Sequence, residues 1–112
     1  MKIERIESWH DEHVGFVRVT DADGATGIGQ MSPYLADATA VVFRRLVAPA
    51  ALGADAGDEA GGIETLIDSI YRENYKFPGT FLLRALGGLD TALWDLAGRR
   101  AGRSVCALCG GE

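Results

Sequence analysis

Phe81 to Gly111 reads FLLRALGGLDTALWDLAGRRAGRSVCALCGG, and its periodicity decides the fold. Leu82, Leu86, Leu89, Leu93 and Leu96 recur at alternating spacings of four and three, which places them on one ridge of an α-helix. Ala85, Gly88 and Ala92 make a second stripe beside that ridge, small enough for another backbone to approach closely. The spacing predicts a helix over about 81–101, with Thr80 as its N-cap, an Asp95–Arg99 i,i+4 pair and Gly102 as its stop. Asp90 and Trp94 share the side stripe, so Asp90 is expected to be partly buried and to need a hydrogen-bond donor.

Upstream, Ile63, Leu66, Ile67, Ile70 and Tyr71 fall at i, i+3, i+4, i+7 and i+8, the pattern of an amphipathic helix. Before it, residues 53–62 (GADAGDEAGG) carry no apolar anchor and read as a mobile loop. An earlier helix starts near Asp37, with Val42, Phe43, Leu46 and Val47 on one face and Pro49 ending or kinking it. The first third of the chain reads as strands at 2–9, at Val14 to Thr20 and at Ala25 to Met31. The last two are joined by the hairpin signal Asp23-Gly24. Strands first and helices afterwards define an α+β domain, a three-stranded antiparallel meander followed by a helical bundle.

The chain has 112 residues, enough for one core but not for a (β/α)₈ barrel, which takes roughly 200 residues or more. A formal charge of −5 without a basic run argues against a nucleic-acid partner. Arg99, Arg100 and Arg103 cluster where the helix dipole favours cations. The start MKIERIESWH has no signal-peptide core, and no stretch has the length and apolarity of a membrane span. A cytoplasmic protein is the expectation, and two cysteines three apart are no disulfide framework.

Ala85-Leu86-Gly87-Gly88-Leu89-Asp90, Ala92-Leu93-Trp94-Asp95-Leu96, Gly98-Arg99, Gly102 and the closing Leu108-x-Gly110-Gly111 resemble a segment of the enolase superfamily. They look like the end of the N-terminal capping domain in its mandelate racemase and muconate-lactonizing branch. Val17-Arg18-Val19, Asp23-Gly24, Gly27-Ile28-Gly29, Pro49-x-x-Leu52-Gly53 and Ile63-Glu64 extend the likeness over nearly the whole chain. Gln30, Gly87, Ser104 and Cys109 depart from residues usual in that branch. The resemblance implies a three-stranded sheet with a helical bundle, a single capping domain over 1–112, and a catalytic barrel outside it. It implies Mg2+ in the parent enzyme, held by barrel carboxylates, with a barrel Lys or His removing the proton α to a substrate carboxylate. No such group lies in this chain, so no catalytic or metal residue is assigned and no cofactor is expected to bind it alone.

His10-Asp11-Glu12-His13 is the densest set of potential ligands. Four consecutive residues rarely converge on one ion, so a solvated connection between strands competes with a metal site. The resemblance adds a third reading, a loop that reaches over the barrel mouth and helps to choose the substrate. Gln30-Met31-Ser32-Pro33-Tyr34 follows the third strand, where the family has a second covering loop. The candidate specificity residues are therefore His10, His13, Met31 and Tyr34, with a plain surface turn as the other reading of Tyr34. Gly27-Ile28-Gly29 lies inside a strand with no helix after it, which excludes a dinucleotide loop. Cys106-Ala107-Leu108-Cys109 lacks the strand and helix of a redox motif and the further ligands of a zinc site. There the resemblance favours cysteines acting as small hydrophobes.

The sequence thus points to a capping domain, in a truncated chain inactive alone, of a Mg-dependent racemase, cycloisomerase or sugar-acid dehydratase acting on a small carboxylate. A free-standing interaction domain of the same fold and a small CxxC redox or zinc module are the alternatives. The final helix is apolar around more than one face, counting Phe81, Trp94 and Ala97. The chain is therefore expected to dock on a barrel or to form homo-oligomers.

Overall fold

The computed structural model describes residues 1–57 and 60–111. Three strands, β1 (Ile3–His10), β2 (Gly15–Asp21) and β3 (Thr26–Met31), pair antiparallel in the order β1-β2-β3. Helices follow: α1 (Ala36–Val42), a π-helical turn (Phe43–Val47), α2 (Ala48–Ala51), α3 (Ala60–Glu73), α4 (Thr80–Ala101) and α5 (Val105–Leu108). This is the expected α+β meander and bundle.

The meander is tied at its β2–β3 turn by Asp21, whose Oδ1 accepts the N–H groups of Asp23 at 3.0 Å and Ala25 at 2.9 Å. Its other oxygen accepts Arg100 Nη1 at 2.7 Å, so a buried carboxylate locks the hairpin to the end of α4. The broken alternation in β1 has a local cause. A bulge between Ile3 and Arg5 turns Glu4 and Arg5 both outward.

The Leu ridge of α4 is buried at every position, as are Ala85, Gly88 and Ala92 of the side stripe. What approaches that stripe is β3. A Cβ on Gly27 would overlap the backbone of Ala92 and Leu96, and one on Gly29 would overlap Gly88 and Thr91. The Gly-x-Gly pair is therefore a strand-on-helix contact. Asp95 seals the same contact, accepting the edge N–H of Ile28 at 2.8 Å while pairing with Arg99 at 3.1 Å. Gly102 adopts φ 65° and stops α4, with Arg103 N–H returning to Gly98 O at 3.0 Å. At the other end Gly79, not Thr80, is the N-cap. Thr80 is already helical, and no side chain caps the first turn.

Pro49, expected to end or kink its helix, does not end it but disturbs its bonding. Ala48 N–H bonds to Phe43 O, five residues back, so the chain widens into a π turn just before the proline that cannot donate. Helical bonding then resumes with Leu52 N–H to Ala48 O at 2.9 Å. Nor is the stretch from residue 53 to 57 a loose loop. Gly53 and Ala54 exchange hydrogen bonds with Ile3, Ala56 N–H bonds to Met1 O, and Ala56 is fully buried. This segment covers the β1 edge. α3 begins at Ala60, while Asp58 and Glu59 of the expected loop lie outside the described residues. In α3, Ile63 and Ile70 are buried, and Tyr71 is largely outside.

Candidate functional site

The antiparallel register brings the end of β1, the start of β2 and the end of β3 into one row, since His10 faces Gly15 and Gly15 faces Met31. The connections 11–14 and 32–35 therefore leave from the same end of the sheet. A backbone bond joins them, Ala36 N–H donating to Glu12 O at 3.3 Å. The two stretches singled out in the sequence form one rim.

Asp11 organises the first of them. Its Oδ1 accepts the N–H groups of His13 at 2.7 Å and Val14 at 2.8 Å. Those two bonds hold its carboxyl below the usual carboxylate range. With Asp11 so occupied, the four-residue group does not close on a metal. His13 Nε2 meets Glu12 Oε1 at 3.1 Å, both side chains being solvent-exposed. Among the described residues no group of three or more His, Cys, Asp or Glu is placed to hold an ion. His10 is exposed and lines, with Trp9, Asp11 and Phe16, a shallow hollow of about 240 Å³. Trp9 is held by Arg18, whose guanidinium lies 4.9 Å above its ring and is bonded twice to Glu7 at 3.0 Å.

In the second connection Tyr34 is 73% exposed, the posture of a side chain available to a ligand. Arg84 of α4 supports it, donating to Tyr34 O at 2.9 Å with its guanidinium 5.7 Å from the rings of both Tyr34 and Phe81. Leu35 follows at φ 54°, a left-handed conformation that costs a non-glycine residue about 1–2 kcal/mol. That turn lets the chain leave Tyr34 outward and enter α1 at once. Met31 stands apart from the other candidates. It is 1% exposed and packs over Gly15 and Gly88, because alternation along β3 turns it to the core. Its side chain supports the rim from beneath and does not reach the surface.

Arg84 and Trp9 were not found by sequence reasoning. Fifty residues separate Arg84 from Tyr34, and no local pattern links them. Trp9 sits in a strand whose bulge obscures which way its side chain points. Together the rim offers imidazoles at His10 and His13, a phenol at Tyr34 and a guanidinium at Arg84, groups suited to hydroxyls and carboxylates of a small ligand.

The cysteines lie elsewhere. Cys106 lies within the single-turn α5 and Cys109 is its C-cap; both are exposed in this chain. α5 starts at Val105 after the Gly102 turn, capped by Ser104 Oγ accepting Ala107 N–H at 3.1 Å. It lacks the preceding strand that a redox CxxC requires. No helix among the described residues is long and apolar enough to cross a membrane.

Comparison with known proteins agrees with this architecture. Residues 4–110 match the family described as mandelate racemase / muconate lactonizing enzyme, N-terminal domain. A D-galactonate dehydratase family member from Paenibacillus sp. (strain JDR-2) is 39% identical over 94 residues, 83% of this chain but 22% of that relative. A candidate racemase from Roseobacter denitrificans has a superimposable structure, with TM-score 0.92 and 46% identity over 100% of this chain and 30% of its own. A mandelate racemase/muconate lactonizing protein from Paracoccus denitrificans PD1222, solved in complex with magnesium, gives TM-score 0.86 and 31% identity, covering 98% of this chain and 30% of that one. This chain thus spans less than a third of each of these proteins, and it belongs to the mandelate racemase / muconate lactonizing enzyme N-terminal domain family of the enolase superfamily.

Proposed function

We propose that residues 1–112 are the capping domain that selects the substrate in a magnesium-dependent enzyme acting at the carbon α to a small carboxylate. The rim at the β1–β2 and β3–α1 connections covers the mouth of a catalytic barrel supplied by further polypeptide. Racemisation, cycloisomerisation and sugar-acid dehydration all begin with loss of that α-proton, and dehydratase- and racemase-named relatives make these the reactions to consider. One observation carries the reading. Two connections far apart in sequence form one hydrogen-bonded rim bearing His10, His13 and Tyr34 outward, with Arg84 behind.

The described residues of this chain do not bring together the several converging oxygens that a magnesium site needs. The contribution of the domain is to hold remote substrate groups and to exclude water, which sharpens discrimination without supplying base or Lewis acid. In the complete enzyme, His13→Ala and Tyr34→Ala should change the ranking of kcat/KM across a panel of sugar acids and aryl-substituted hydroxy acids. An equal loss of kcat on every substrate would place these residues in the chemical step and overturn the assignment. Turnover by the 112-residue chain alone would do the same.

A further inference from the structure

Among the described residues only Leu35 combines a side chain with a positive φ, 54°. A left-handed backbone at leucine carries a steric cost. Its side chain, 61% exposed, offsets little of that by burial. Such a conformation persists where the surroundings over-determine it, and here both flanks of the turn are pinned. On the C-terminal flank Ala36 N–H donates to Glu12 O at 3.3 Å. Leu35 O accepts Thr39 N–H at 3.0 Å, the first bond of α1. On the N-terminal flank Tyr34 O accepts Arg84 Nη1 at 2.9 Å. The first two tethers are backbone to backbone. The third reaches the turn through a side chain, from a helix fifty residues away in sequence.

Arg84 is itself well placed for that task. Its helix neighbours Leu82, Ala85 and Leu86 are buried, so α4 presents it from a fixed base. Its guanidinium lies 5.7 Å from the ring of Phe81, three residues earlier on α4, and 5.7 Å from the ring of Tyr34. No carboxylate of a described residue draws it away. By type a guanidinium suits a ligand carboxylate, but here one donor and two rings commit it to the turn. A charged donor on a neutral carbonyl also makes a stronger bond than a neutral one.

We propose that Arg84 is a positioning residue for substrate choice, acting through Tyr34. It fixes the Tyr34 carbonyl against the left-handed Leu35 turn, and so sets where the phenol stands on the rim. The rim then takes its shape from the core helix as well as from its own sequence. The proposal deepens the capping reading, and its effect on substrates rests on that reading.

Hydrogen exchange read by mass spectrometry on the complete enzyme follows the turn, and steady-state kinetics on the same protein follow the consequence. Arg84→Met keeps an apolar stem beside the two rings and removes the donor. Exchange over residues 34–38 should become about three- to tenfold faster, with the peptides of α4 unchanged. The ratio of kcat/KM between the preferred and the poorest acid of the panel should fall about three- to tenfold, through KM. In a Tyr34→Ala background the same change should alter that ratio by less than about twofold, because no phenol remains to be positioned. Circular dichroism checks folding, and Arg84→Gln serves if Arg84→Met does not fold. Equal losses in the two backgrounds would make Arg84 a ligand contact in its own right and overturn the proposal. Unchanged exchange over 34–38 would overturn it equally. The exchange result needs no substrate, so it decides the positioning even where Tyr34→Ala leaves the substrate ranking intact, the outcome that refutes the capping role.

Discussion

Gly27→Ala adds one methyl group where the chain has no room for it. The new Cβ would lie inside the van der Waals envelope of Ala92 O and Leu96 N, and its third neighbour is Leu96 Cβ at 2.7 Å. None of these is the end of a flexible side chain. The strand or the helix must move as a unit, and either shift loosens the bond from Ile28 N–H to Asp95. Overpacking a core ordinarily costs about 1–3 kcal/mol, and a contact that is backbone on one side and ladder on the other belongs at the top of that range. Gly27 has no positive φ, so the cost is contact and not conformational strain. Against a small-domain stability of about 5–15 kcal/mol, a loss of about 3 kcal/mol lowers Tm by roughly 10–20 °C.

Gly87→Ala supplies the control. Gly87 sits in α4, the helix that Gly27 meets, with nothing within 4 Å of an added Cβ, and replacing a mid-helix glycine by alanine contributes about 0.5–1 kcal/mol. Thermal and urea unfolding of both variants should therefore move in opposite directions. Gly27→Ala within about 0.5 kcal/mol of the wild-type chain would refute the close approach of β3 to α4, and with it the account of the small-residue stripe.

Two other perturbations probe charge. Arg100→Met leaves the Asp21 carboxylate buried without its cation, and with Arg100 itself 28% exposed the loss should be about 2–3 kcal/mol in urea unfolding. Asp23→Ala, which removes the 76% exposed partner of the same arginine, should cost less than about 1 kcal/mol; equal losses would show that burial of Asp21 is not what matters. Burial pushes the Asp90 carboxyl up, the Trp94 hydrogen bond pulls it partly back, and the nearby Glu64 charge adds to the rise. A folded-state value above the unfolded one means that the ionised carboxylate opposes folding at neutral pH. The folded state then gains stability as pH falls through the folded pKa. Asp90→Asn, which keeps an acceptor for the indole N–H, should raise Tm at pH 7 and remove that acid-side gain. An unchanged or lowered Tm at pH 7 would contradict the burial argument.

The helical half of the fold was legible because its signal is local. The Leu82-to-Leu96 spacing needs only the 3.6-residue period, and all five leucines are buried. The small stripe announced a close neighbour but could not name it, since β3 lies sixty residues upstream. Local reasoning failed where a distant contact supplied what the nearby sequence lacked. Residues 53–57 have no large apolar side chain, yet pairing with Met1 and Ile3 orders them and buries Ala56. At Pro49 the rule that a proline interrupts helical bonding is right about the missing donor. Its weakness is that a five-residue hydrogen bond one position earlier can absorb the defect.

The rim shows the same division in a form that bears on function. Candidate residues were recognisable by type, but their status depended on register. Counting back from the β2 pairing, Met31 must face inward, because it stands opposite Gly15 in the row that packs on α4. A one-residue slip of β3 would turn Met31 out and Gln30 in, exchanging a core side chain for a polar one. Such a slip is blocked by Gly27 and Gly29, since only in the observed register do both glycines meet the backbone of α4. The residues that resemble a nucleotide loop thereby decide which side chains the rim exposes. The register they fix keeps Met31 beneath the rim, while the Leu35 turn and the Asp11 bonds set the chain at Tyr34 and His13.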